Sequence, residues 1–138
     1  MIGNSCHQPM IRNTSISEDC LVLNVWTTNV PKNSGSDAPL KPVMFWIYGG
    51  ALSIGSIFMF PIYNGSVLAT NDVIFVSTNY RLGPFGFLYG DRDDCPGNQG
   101  FYDQLLALKW VLIIALFYDS FVLIYELMPQ IIGQRKHR

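Results

Sequence analysis

Apolar residues run in short uninterrupted stretches through the first half of the chain and at helical spacing in the second. Residues 21–27 (Leu-Val-Leu-Asn-Val-Trp-Thr), 42–48 (Pro-Val-Met-Phe-Trp-Ile-Tyr) and 73–80 (Val-Ile-Phe-Val-Ser-Thr-Asn-Tyr) are rich in β-branched and aromatic side chains and are bounded by turn formers. A run that stays apolar without alternating suits a strand covered on both faces, as in a parallel sheet between helix layers. The stretch from Asn29 to Pro42, with three prolines, reads as a loop, and Val67-Leu68-Ala69 as part of a crossover ahead of the third strand. From Asn98 the period changes. Asp103, Gln104, Ala107 and Lys109 interleave with Phe101, Leu105, Leu106, Leu108 and Trp110, which predicts a helix opened by Pro96-Gly97-Asn98. The order is strand, strand, crossover, strand, helix. That is α/β logic, with chemistry expected at the carboxyl ends of strands.

The last stretch has a different style. Between Leu112 and Ile132 the polar face disappears, and residues 133–138 close the chain with a basic cluster. The pattern divides the chain at Val111, with a divergent apolar tail over 112–138 that is expected to be helical. Residues 110–132 are long enough to cross a bilayer. Asp119 near their centre costs ~3 kcal/mol and offsets much of the apolar gain, so insertion sums to about zero.

Composition narrows the picture. The chain has 138 residues, room for one domain and a core. Only 14% are charged, against about a quarter in typical soluble domains, while 49% are hydrophobic. A net charge of −1 leaves no electrostatic footprint for nucleic acid. A disordered chain, a collagen and a disulfide-dense miniprotein are excluded. The first residues carry neither a basic cluster nor an apolar run, so no signal peptide is read there. Three cysteines are an odd number, which in an exported protein suggests one pair and one free thiol. Asn13 and Asn64 each head an N-glycosylation sequon, relevant only in the secretory pathway.

Gly49-Gly50-Ala51, directly after an apolar strand, carries the most chemical information. A strand ending in small residues lets the backbone turn so that successive N–H groups point into one cavity. Such groups hold an oxyanion developing during acyl transfer, each worth roughly 2.7–4 kcal/mol of transition-state stabilisation. Only N–H groups are required, so Ala51 serves as well as a third glycine provided its φ is negative. The competing reading is a tight turn with no ligand.

Four blocks of sequence bear on that choice. Ser17-Glu18-Asp19-Cys20-Leu21 through Trp26, Trp46-Ile47-Tyr48-Gly49-Gly50-Ala51 with Gly55-Ser56, Asn79-Tyr80-Arg81-Leu82-Gly83-Pro84 through Leu88, and Pro96-Gly97-Asn98-Gln99-Gly100 through Val111 follow one another in order. Together they resemble the signatures of type-B carboxylesterases, an α/β-hydrolase family that includes cholinesterases. The resemblance implies a partial α/β-hydrolase sheet, its N-terminal strands and first helices, followed by a non-family apolar helix. It implies that Gly50 and Ala51, in the loop begun by Gly49, supply oxyanion donors for a small carboxylic ester, with no cofactor and no metal. Cys6 and Cys20 resemble the family's first disulfide, and a closed loop of about this size is worth about 3 kcal/mol. The aromatic that binds choline-type substrates falls in a part of that loop absent here, which argues against a cholinesterase. Arg81 and Asp103 resemble a buried structural ion pair. Glu18 looks like half of another whose arginine would lie upstream of Met1, and Cys95 reads as a free thiol.

The family chemistry also needs a serine on a Gly-x-Ser-x-Gly turn, then an acid and a histidine. No such turn occurs in these residues. The nearest approach, Ala51-Leu52-Ser53-Ile54-Gly55, falls within the oxyanion loop itself, and His7 and His137 are the only histidines. The expectation is therefore an esterase fragment without its catalytic triad, inactive alone, with a gene-model or splicing boundary after Val111. A non-catalytic cholinesterase-like binding domain and a tail-anchored membrane protein are the alternatives. The family is secreted or membrane-associated; where this chain resides is left open.

Overall fold

A computed structural model describes residues 3–9, 14–28 and 41–117, and the backbone of 122–125. Its centre is a four-stranded sheet in the order β1 (Leu23–Trp26), β3 (Ile74–Thr78), β2 (Val43–Ile47), β6 (Val122–Tyr125). β2 runs parallel to both its neighbours, with Phe45 opposite Val76 on one side and Ile124 on the other. β1 does not join as a parallel strand. It pairs antiparallel with β3, Val25 opposite Val76. A continuous apolar run signals burial but not direction, so the all-parallel expectation fails at this edge.

Side chains alternate across the sheet. Val43 and Phe45 of β2 and Val76 of β3 form one buried cluster with Val111 and Ala115 of helix α3 (Gln99–Phe117). The other cluster is Tyr48, Ile57, Tyr80 and Leu82, flanked by Trp46 and Tyr63. Gly100, Asp103, Ala107, Leu108, Val111 and Ala115 make up the sheet-facing stripe of α3, at the spacing a helix requires. A Cβ on Gly100 would lie 2.5 Å from the Arg81 carbonyl oxygen, so this glycine lets the helix approach closely.

Short pieces connect these elements. A 3₁₀ turn at Pro61–Tyr63 and helix α1 (Ser66–Ala69) cross from β2 to β3, and α2 (Gly83–Phe87) follows β3. A small antiparallel pair, β4 (Tyr89–Arg92) and β5 (Cys95–Pro96), leads into α3.

The apolar C-terminal segment is not one helix. α3 continues past Val111 to Phe117, and residues 122–125 return as β6 against β2. Val-Leu-Ile-Tyr is too short to show its own periodicity, and sheet pairing decides its conformation. Among the described residues no helix is long and apolar enough to cross a membrane. Of the segment 110–132, residues 118–121 and 126–132 lie outside the described ones, as do Asn13 and His137.

Candidate functional site

β2 delivers its chain to a strained turn. Gly50 has φ +144°, where its Cβ, if present, would lie 1.7 Å from the Ile54 carbonyl oxygen. Ala51 and Leu52 follow at φ +52° and +59°, both in the left-handed region. The negative φ expected for Ala51 is thus not adopted. The Gly50 carbonyl accepts the Ser53 and Ile54 amides at 3.0 and 3.1 Å, closing a left-handed turn that requires positive φ inside it. Among the described residues, the N–H groups of Gly50 and Ala51 have no partner. They stand at the surface at the carboxyl end of β2, Ala51 exposed and Gly50 half-buried.

The rest of the loop is held from behind. Gly55 is buried, and a Cβ there would meet the Tyr48 ring at 2.3 Å. The Gln8 side chain brackets it: Nε2 donates to the Gly55 carbonyl at 2.7 Å and Oε1 accepts the Gly55 amide at 2.6 Å. The Asn79 side chain, at the end of β3, accepts the Ile57 amide at 3.0 Å and donates to the Asn4 and Cys20 carbonyls. Ser5 Oγ and Ser56 Oγ complete this buried cluster at 2.8 Å. Gln8 belongs to no motif, because an amide side chain bonded to distant backbone leaves no local pattern, and Asn79, though it heads the third sequence block, carries no sign of this role for the same reason.

Cys6 and Cys20 are bonded, with Cα atoms 4.9 Å apart, and Ser5, just outside the ring, forms a backbone bridge with Ile16 within it. Below the turn, Tyr48 and Tyr80 stack at 4.7 Å and each hydroxyl donates to the other residue's carbonyl. Burial pushes the Tyr80 phenol up to about 12 and the Tyr48 phenol further in the same direction. Arg81 and Asp103 meet in a two-pronged pair, Nε and Nη2 each 2.7 Å from a carboxylate oxygen, and the Arg81 amide adds a third bond. The pair is one-sided, with the Asp103 side chain 5% exposed and the Arg81 side chain 39% exposed. Its hydrogen bonds to Asp103 raise the Arg81 guanidinium pKa.

The remaining candidates stand apart. Glu18 is exposed and makes no ion pair among the described residues. Cys95 is a half-buried free thiol in β5. Asn64 is exposed, its Oδ1 accepting the Ser66 amide at 2.9 Å. His7 is exposed against the Phe85 ring. Among the described residues no His, Cys, Asp and Glu cluster could hold a metal. An open groove of about 400 Å³, lined by Leu21, Val22, Leu23, Leu106, Ala107 and Trp110 among others, lies over β1 and α3, and no residue of 49–57 lines it.

Residues 2–117 match the model of the carboxylesterase family, a match that runs past Val111. The chain is 52% identical over 100 residues to Acetylcholinesterase 4 of Caenorhabditis briggsae, covering 72% of this chain and 15% of that one. It is 50% identical over 101 residues to Cholinesterase of Mus musculus, covering 72% and 16%. With Carboxylesterase 3 of Homo sapiens it shares 48% over 99 residues, covering 70% and 16%. The chain spans only about 15–18% of the length of the curated relatives it matches.

Proposed function

This chain belongs to the carboxylesterase family, and we propose that it is the carbonyl-polarising sector of a carboxylic ester hydrolase, without nucleophile, acid or base of its own. The unpartnered Gly50 and Ala51 amides at the carboxyl end of β2 carry this reading; Ala51 keeps its N–H free within the closed turn at positive φ, so the negative φ expected from the sequence is not what the donor role needs. Two donors on adjacent residues, prearranged by a closed turn, suit the oxygen of a tetrahedral intermediate, since they need no reorganisation when the charge forms. Sheet order supports the placement. The chain leaves β2 toward β3 and then returns across the sheet to β6, so the ends of β2 and β6 meet where the strand order reverses, the usual place for a ligand in an open α/β sheet.

The family mechanism needs a serine alkoxide to attack the carbonyl and a histidine to shuttle its proton. The residues after Tyr125 read Glu-Leu-Met-Pro-Gln and form no Gly-x-Ser-x-Gly turn. Cholinesterases and carboxylesterases match at nearly equal identity, so the ester class stays at carboxylic ester. Incubating the purified chain with an activated ester and a fluorophosphonate probe tests the reading. No burst and no labelled serine are expected; stoichiometric labelling overturns it. In a full-length relative carrying residues 3–117 of this chain, Gly50→Ala keeps the amide but drives its Cβ into the Ile54 carbonyl and re-aims the turn, so kcat should fall by about 10²–10³-fold.

The buried disulfide and the exposed sequon at Asn64 support synthesis in an oxidising, glycosylating compartment. Glycosylation consumes Asn64 Nδ2 and leaves the Oδ1 bond to Ser66 intact. Secreted expression should give a glycosidase-sensitive band that Asn64→Gln alters.

A further inference from the structure

The disulfide ring and the candidate oxyanion turn are far apart in sequence but share one hydrogen-bond cluster. Gln8, two residues after Cys6, makes both backbone bonds to Gly55 that a neighbouring strand would make. Asn79 joins the Ile57 amide to the carbonyls of Asn4 and Cys20, on either side of the ring. Ser5, inside the bridge to Ile16, reaches Ser56. Residues 55–57 are therefore held through side chains anchored at Cys6 and Cys20, both 1% exposed. A turn with left-handed residues at 51 and 52 stores strain and persists only where its surroundings over-determine it.

We propose that Gln8 and Asn79 are positioning residues that hold the strained turn in its donor-presenting form, with the Cys6–Cys20 ring as their frame. The proposal rests on the oxyanion reading of Gly50 and Ala51. These side chains do not touch the ester; they act through Gly55 and Ile57 on the turn that does. Gln8 is the more informative of the two because it is only half-buried, whereas Asn79 is fully enclosed.

Amide hydrogen exchange on the full 138-residue chain tests this. Gln8→Met keeps the side chain's length and removes both bonds to Gly55, together with the one Nε2 donates to the Cys6 carbonyl at 3.0 Å. Exchange of the Ser53 and Ile54 amides should accelerate about tenfold, the equivalent of roughly one net hydrogen bond, while the Phe45 and Val76 amides stay unchanged. Gln8→Glu, which accepts the Gly55 amide but cannot donate to its carbonyl, should fall between wild type and Gln8→Met. A Cys6→Ser/Cys20→Ser double variant should reproduce the Gln8→Met pattern. Unchanged Ser53 and Ile54 exchange overturns the proposal. Equal acceleration at Phe45 and Val76 also overturns it, because the role would then be general stability. Since the readout involves no ester, loss of kcat dependence on Gly50 in the chimera would sink the oxyanion reading and leave this result standing.

Discussion

At Ala51 an L residue occupies a conformation that costs roughly 1–2 kcal/mol relative to a right-handed one. Glycine there removes that cost but gives back about 0.4–1 kcal/mol through a freer unfolded chain. Ala51→Gly should therefore stabilise by about 0.5–1 kcal/mol in urea unfolding. Tyr48 and Tyr80 make a prediction of opposite character. Their folded-state pKa values are raised by burial, so the neutral phenols favour the fold. That stability is complete below pH 10 and lost as pH rises toward about 12, because the unfolded chain ionises first. Each tyrosine should take away about 1.4 kcal/mol per pH unit in that window, measurable as a falling urea midpoint between about pH 10 and 12. Gly50 was legible in the sequence, since two glycines after an apolar strand announce a special turn. The left-handed Ala51 was not, because tertiary bonds impose it on a residue with no preference for it. Gln8 was silent for a related reason, its partner Gly55 lying 47 residues away, and the block that begins at Asn79 gave no hint of a bond to a carbonyl 75 residues away.

Between elements, the Arg81–Asp103 pair ties the end of β3 to the first turns of α3. Its asymmetric burial predicts asymmetric costs. Arg81→Ala leaves an enclosed carboxylate with one amide bond and should cost about 3 kcal/mol, the low end for buried pairs because the guanidinium is 39% exposed. Asp103→Asn keeps the shape and frees an arginine that water can solvate, so about 1–2 kcal/mol is expected. Chemical denaturation of both variants gives the order. The sequence shows β2, β3 and the start of α3 to within a few residues, because each is a long apolar or periodic run, whereas the end of α3 at Phe117 is not visible in a stretch that stays apolar. β1 is visible but its direction is not. The β4–β5 pair is invisible, since Tyr-Gly-Asp-Arg carries turn and surface residues and is paired only by its neighbour. β6 was hidden for another reason: four apolar residues after an apolar helix read as more helix.

Over the whole molecule, apolar side chains remain in water. Ile62 is 85% exposed, Val67 73% and Leu106 65%, and the outer face of α3 adds Leu105, Trp110 and Ile113. From Trp110 to Phe117 α3 carries no polar residue, and a helix segment apolar all round is built to be covered on both sides. β1 and β6 are the edges of the described sheet, and unpaired edges recruit other chains. The purified chain should therefore associate, with light scattering that rises with concentration and dye binding to exposed apolar surface. A monodisperse monomer with a single cooperative melt would contradict this.

The parallel alignment of β2 and β6 makes this small sheet a ready acceptor for transplantation. Tyr125 sits opposite Trp46, close to where β2 hands over to Gly49. A designer who appended a serine-bearing elbow after Tyr125 would need no new strand to aim it. Whatever turnover emerged would measure how much of an esterase one grafted loop can restore.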